Sequence, residues 1–165
     1  MLPWTESRSS AVRVVVFCFV ALVVLAGSVS ADQEINDLKR ATAPFHSLDV
    51  AMAAGWDTPL TDCWEDPQGG MGYHYGNVSI IDGAVNPFRP EAILYEPLSN
   101  GALQMVGLEY LVPEELSPEP PVLFGRQFHS NGNGLWILHV WVWRNNPRGM
   151  FSDWNPRVSC EYAPD

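Results

Sequence analysis

Between residues 34 and 54 apolar side chains recur every three or four positions, at Leu38, Ala41, Phe45, Leu48 and Met52. That spacing lays one stripe along a helix. Pro44 falls inside the pattern and lacks the N–H that a helix interior needs, so the stretch reads as one kinked helix or two short ones. Gly55 is placed to end it. His46 lies beside the stripe and reads as a helix-flank residue with no ligand role. Residues 57–91 are dense in Gly and Pro, and only "MGYHY" (71–75) alternates well enough to predict a short strand. The pattern then becomes regular. "AILYEP" (92–97) and "ALQMVGLEYLV" (102–112) predict a hairpin, with Asn100-Gly101 supplying the positive φ angles of its turn. "PEELSPEPP" (113–121) is an acidic, proline-rich connector. "VLFGRQFH" (122–129) and "LWILHVWVW" (135–143) predict a second hairpin around "SNGNG" (130–134), before a tail rich in turn residues. A helix followed by at least four antiparallel strands in a meander is an α+β arrangement, a small roll, with a partly open small β-barrel as the alternative.

The start of the chain follows a different pattern. Arg8 and Arg13 precede a continuous apolar run from Val14 to Ala26, and "GSVSA" follows with small residues, Val29 and Ala31 standing where a signal peptidase reads. Charge, apolar run and small-residue exit in that order predict a secretory signal peptide over residues 1–31 and a single domain over 32–165. An uncleaved anchor is the alternative, but the run falls short of the roughly 20 apolar residues of a membrane span. The expected location is secreted or periplasmic.

Charge narrows the partners. The chain carries 9 Lys+Arg and 19 Asp+Glu. Phosphate backbones and anionic membrane faces repel such a surface, so nucleic acid is excluded as a partner, as is a membrane after signal cleavage. Cys63 and Cys160 are the cysteines outside the leader. An even pair in an oxidising compartment predicts one disulfide, with free thiols or a shared metal as the alternatives.

Candidate chemistry centres on residues 135–143. Trp136, Leu138, Val140 and Val142 share one wholly apolar face that meets the core, whereas Leu135, Ile137, His139, Trp141 and Trp143 share the other. An imidazole among indoles on that face suits a pocket wall, which makes His139, Trp141 and Trp143 the candidate ligand-binding residues. A second small core under the tail is the other reading of these tryptophans. Taking 130–134 as a five-residue loop pairs His129 with Leu135 and Gly125 with His139. Glu109, the only charge between Ala102 and Val112, shares a face with Met105, Gly107 and Leu111, and one register sets Glu109, Gly125 and His139 in a row, with a Glu-to-His bridge across a glycine gap.

Three functions fit these residues. The first is a small binding module whose aromatic and histidine-lined pocket takes a small molecule. The second is a transition-metal protein, for Zn or Cu, with ligands from His74, His129, His139 and Glu109. His129 lies about 13 Å from His139 in that register, so His74 or Glu109 would complete a site on His139. The third is a small acid/base enzyme using Glu109 and His139. Histidines that serve only as hydrogen-bonding structural residues remain a fourth account. No His-Glu-x-x-His, Gly-x-Ser-x-Gly, phosphate loop or Cys-x-x-Cys is present. Asn77 heads an "NVS" sequon, which matters only in a eukaryotic secretory route.

The segments "AILYEP", "VGLEYLVP", "PVLFGRQFH" and "LHVWVWRNNPRGMFSDWNPRVSC" resemble a family of uncharacterised exported bacterial proteins over most of residues 32–165. The family often carries Pro at the Gln127 position and a longer insert in place of "SNGNG". The resemblance implies export from a bacterial cell and supplies no activity.

Overall fold

The computed structural model describes residues 30–164. The expected signal peptide, apart from Ser30 and Ala31, and Cys18 with it, lies outside the described residues.

The helical stretch divides at Pro44 as its sequence requires. Helix α1 (Ala31–Thr42) starts on Ser30, whose hydroxyl accepts from Gln33 N, and it carries Asp32 and Glu34 in its first turn and Lys39 and Arg40 in its last. These charges complement the helix dipole at both ends. A 3₁₀ turn (Ala43–His46) takes Pro44 near its start, where the missing N–H costs nothing. Ser47 then caps α2 (Leu48–Ala53). Gly55 ends it with φ +106°, a left-handed conformation that side chains disfavour.

The strands are β1 (Thr58–Asp66), β2 (Gly69–Gly76), β3 (Ala92–Pro97), β4 (Leu103–Pro113), β5 (Val122–Leu123), β6 (Arg126–Gln127), β7 (His129–Ser130) and β8 (Leu135–Val140). Six form one sheet in the order β1-β2-β3-β4-β8-β7, every pairing antiparallel. The sheet curls into a half-barrel with the helical segment packed on one face, so the α+β class holds and the barrel is partly open. The core on that face joins Leu38, Ala51 and Trp56 to Ile93, Tyr95, Leu108, Tyr110, Val112, Leu138 and Val140. Three of its polar tips reach backbone carbonyls, whereas Trp143 Nε1, packed against the same core, is buried without a partner. Tyr95 Oη donates to Phe45 O at 2.6 Å, Tyr110 Oη to Pro87 O at 2.7 Å, and Trp56 Nε1 to Pro90 O at 2.9 Å.

Three sequence expectations need correction. Residues 57–91 hold a nine-residue strand, β1, besides the predicted one. It lies at the sheet edge, its residues are exposed or half-buried, and its pairing with β2 shifts register three times, so no alternation is left to read. Pro59 is tolerated there because an edge strand has a free side. Its partner β2 needs glycine for the opposite reason. A Cβ on Gly72 would sit 2.3 Å from Tyr95 O, so only glycine lets β2 lie against β3.

The second correction concerns residues 122–130. β5 and β6 form a separate two-stranded hairpin turning at Phe124 and Gly125, both at positive φ. Only β7 joins β8, with His129 opposite Ile137 and not Leu135. Asn131 organises this turn, its N–H donating to Leu135 O and its Oδ1 accepting from Asn133 N and Leu135 N. Gly125 therefore does not face His139. β4 is the direct neighbour of β8, and Glu109 pairs with His139.

The third is where β8 stops. Val142 N turns back to Val140 O and Arg144 N reaches Val106 O, so the two-residue alternation ends before Trp143. The tail then crosses the other face of the sheet. Asn155 exchanges two backbone hydrogen bonds with Gly70, and the expected Cys63–Cys160 disulfide fastens the tail to β1. Glu65 Oε2 also accepts from Cys160 N at 2.7 Å.

Candidate functional site

On the face away from the helices the sheet carries two small apolar clusters. One is Leu94, Val106, Trp141 and Val158; the other is Ala92, Leu111 and Ile137, with Leu60, Ile81 and Leu135 packed against it. Alternation puts His74 of β2, Glu109 of β4 and His139 of β8 on this same face. They lie across neighbouring strands with only β3 between β2 and β4, where Ala92, opposite Glu109, leaves room above it.

These three residues form the floor of a cavity of about 510 Å³. Leu60, Ile81, Leu111, Leu135 and Ile137 give it apolar walls. Trp64 and Trp154, edge-on at 5.6 Å between centroids, also line it, and the 130–133 loop adds polar groups at the rim. An apolar cavity with a few convergent polar groups is the usual form of a small-molecule site.

The floor is buried and charged. Glu109 places Oε2 3.5 Å from His74 Nε2 and Oε1 3.5 Å from His139 Nε2. The far nitrogen of each ring is held by another residue. His139 Nδ1 meets Asp153 Oδ1 at 3.1 Å, and His74 Nδ1 meets Thr61 Oγ1 at 2.8 Å. His139 Nε2 is buried without a hydrogen-bond partner.

Burial separates the protonation of these groups. Desolvation, followed by the positive charge of His139, pushes His74 down to about 3, against a smaller opposing hydrogen bond with the backbone of Gly72. Desolvation raises Glu109 above the usual carboxylate range, Asp153 adds to that rise, and the charges of His139 and His129 oppose it. For His139 desolvation acts downward, but Glu109 and Asp153 together outweigh it and hold the imidazole above its ordinary value. Asp153 is the complement. Burial would raise it, yet its bonds to His139 and His129 keep it low. Asp153 and His139 thus favour each other's charged forms, while burial disfavours a proton on His74.

Of the residues singled out in the sequence, His74, Glu109 and His139 come together. His129 joins them indirectly. Opposite Ile137, it is two residues from His139 along the strand, about 7 Å and not 13 Å. Its Nε2 meets Asp153 Oδ2 at 3.0 Å, so one carboxylate ties both rings. Trp141 and Trp143 do not line the cavity. Trp141 lies behind it, its ring parallel to His139 at 6.2 Å and its Nε1 donating to Ser152 O. Gly107 makes room for that indole, since a Cβ there would lie 3.0 Å from Trp141 Cε3. Trp143, past the end of β8, packs with the helix-side core and edge-on to His46 at 4.4 Å.

Sequence reasoning missed Asp153, Thr61, Trp64 and Trp154. Thr61 and Trp64 stand on the irregular strand β1. Asp153 and Trp154 stand in the tail, which only the disulfide and the Asn155–Gly70 bridge bring across the sheet. The expected disulfide was the one signal that could have pointed to them. No protein-family model, curated protein or solved structure matches this chain.

Proposed function

We propose that this is an exported binding protein that takes a small, largely apolar molecule into the cavity between β1, β8 and the tail. The observation that carries the reading is the cavity itself, about 510 Å³ with apolar walls over a floor of buried, convergent polar groups. The tryptophans at its wall, Trp64 and Trp154, add flat surface with an affinity for aromatic and apolar bodies. Export is supported by the leader-like order of residues 1–31, by the resemblance to an exported family, and by the Cys63–Cys160 bond. No helix among the described residues is long and apolar enough to cross a membrane.

The test uses 1-aminoanthracene, a neutral apolar fluorophore. It should bind at one site per chain with enhanced emission and with quenching of tryptophan. Leu135→Trp and Ile81→Trp, which fill the cavity from its apolar lining, should each abolish that binding while leaving the fold intact by circular dichroism. No binding to the native protein, or binding that both substitutions leave unchanged, overturns the reading.

A further inference from the structure

Glu109 lies between two imidazoles without closing on either. Charge-assisted hydrogen bonds contract to about 2.7–2.9 Å, whereas the His74 and His139 contacts to its carboxylate stand at 3.5 Å. Leaving a buried polar nitrogen unpartnered costs ~1–3 kcal/mol, and His139 Nε2 is such an atom. A network that existed only to satisfy buried groups would close these contacts. The spacing fits a shared cation instead. Donors about 2.0–2.2 Å from a tetrahedral ion lie roughly 3.4 Å from one another, and these three ligand atoms all lie within 4.8 Å of one another.

We infer that His74 Nε2, His139 Nε2 and a Glu109 carboxylate oxygen bind a divalent first-row transition ion, with the ion's remaining position open to the cavity. Two imidazoles and one carboxylate suit Zn²⁺ and its neighbours, while Mg²⁺ and Ca²⁺ prefer all-oxygen sites. Three protein ligands with one side open is the arrangement of zinc sites that take a further ligand, in contrast to closed structural sites.

The surroundings support the same assignment. Asp153 on His139 Nδ1 and Thr61 on His74 Nδ1 fix both rings with Nε2 pointing inward, and a carboxylate behind a ligating histidine is the common second layer of such sites. An entering ion displaces any proton on His139 Nε2 to solvent, and Glu109 and Asp153 as carboxylates then together balance a dication. The ligands stand on three paired or near-neighbour strands, β2, β4 and β8, which hold their separation rigidly. The ion itself stands on this donor geometry. Only its open position rests on the cavity proposed above.

The test is titration of the full, tag-free chain, first stripped with a chelator, with Zn²⁺ by calorimetry and with Co²⁺ by visible absorption. One ion should bind per chain, and azide added to the Co²⁺ form should shift its visible bands, since azide can enter only at an open position. His74→Ala, His139→Ala and Glu109→Gln should each weaken binding by roughly 100-fold, and His46→Ala should leave it unchanged. Asp153→Asn keeps the shape of a partly exposed side chain and should cost about 10-fold to 100-fold in affinity in a stripped protein that still folds by circular dichroism. It therefore keeps the inference testable if a floor variant misfolds. Failure of the native chain to bind Zn²⁺, or affinity unchanged in Glu109→Gln and Asp153→Asn, overturns the inference. If the stripped chain still binds 1-aminoanthracene while Zn²⁺ does not bind, the cavity reading stands and the metal site falls. Zn²⁺ binding without aminoanthracene binding leaves the metal site standing and removes the cavity reading.

Discussion

Replacing Glu91 with Gln should stabilise the protein at neutral pH and do little in acid. Glu91 lies just before β3 with 2% of its surface exposed, and its Oε2 accepts from Leu111 N at 3.1 Å. Burial pushes its carboxyl from 4.5 up to about 8; hydrogen bonds from the Leu111 and Glu91 backbones oppose the shift, and the charges of Asp82 and Glu109 add to it. The folded state then holds this proton more tightly than the unfolded chain does. Its contribution to stability is full below about pH 4.5 and is lost as pH rises through about 8. At 1.36 kcal/mol per unit, the loss amounts to roughly 3 kcal/mol by pH 7 and less than about 1 kcal/mol at pH 5. Gln keeps a carbonyl oxygen for Leu111 N–H and carries no charge, so it escapes the loss. Any cost of burying its NH₂ is the same at both pH values and cancels in the comparison. Urea unfolding of both proteins at pH 5 and pH 7, with equal m-values, measures the difference directly. The Glu91→Gln variant should gain on the order of 2 kcal/mol over the native protein between the two. A difference that stays flat from pH 5 to pH 7, or one that moves against the variant, refutes the claim that Glu91 is buried with a raised pKa.

Other expectations follow from the same structure. Cys63 and Cys160 lie 97 residues apart, and a loop of that length predicts that a Cys63→Ala, Cys160→Ala double variant loses on the order of 4–5 kcal/mol by denaturant unfolding; a loss below about 1 kcal/mol would contradict it. Gly107→Val forces a side chain into the Trp141 ring, and such overpacking should cost about 1–3 kcal/mol in stability while also weakening aminoanthracene binding, because Trp141 anchors the strand of tail that bears Asp153. Ligand-dependent fluorescence should survive Trp143→Phe and fall in Trp64→Phe, since only Trp64 of the two lines the cavity. Intact mass of the exported protein should show cleavage after Ala31 and the loss of two hydrogens at Cys63–Cys160; a reduced protein retaining residues 1–31 would contradict both.

What the sequence made legible is what depends on local periodicity. The split at Pro44, the β3–β4 hairpin and the inward set Trp136, Leu138, Val140 are in the structure as expected, although only Gly101 of the Asn100-Gly101 turn takes a positive φ. Glu109 was noticeable because a lone charge in an apolar strand needs partners, and His139 because it interrupted a run built for burial. Register is where local reading stopped. A two-residue difference at the Asn131 turn moved His129 toward His139, and the detachment of β5 and β6 removed Gly125 and made Glu109 the neighbour of His139. Trp143 was misplaced because a turn after Val140, set by a bond from Arg144 to Val106, ends the alternation. β1 was invisible for a different reason. Its stability comes from pairing with a glycine-rich partner and from a disulfide to the tail, neither of which leaves a periodic trace in "TPLTDCWED". The residues around the site that sequence reading missed, Thr61, Trp64, Asp153 and Trp154, stand on those two segments.

Anomalous diffraction from crystals of the full chain grown with Zn²⁺, collected on both sides of the zinc absorption edge, locates the ion without reference to any variant. One peak is expected on the cavity floor, about 2.0–2.2 Å from His74 Nε2, His139 Nε2 and a Glu109 oxygen. No peak there, or zinc held only by the exposed His129–Asp153 pair, would contradict it.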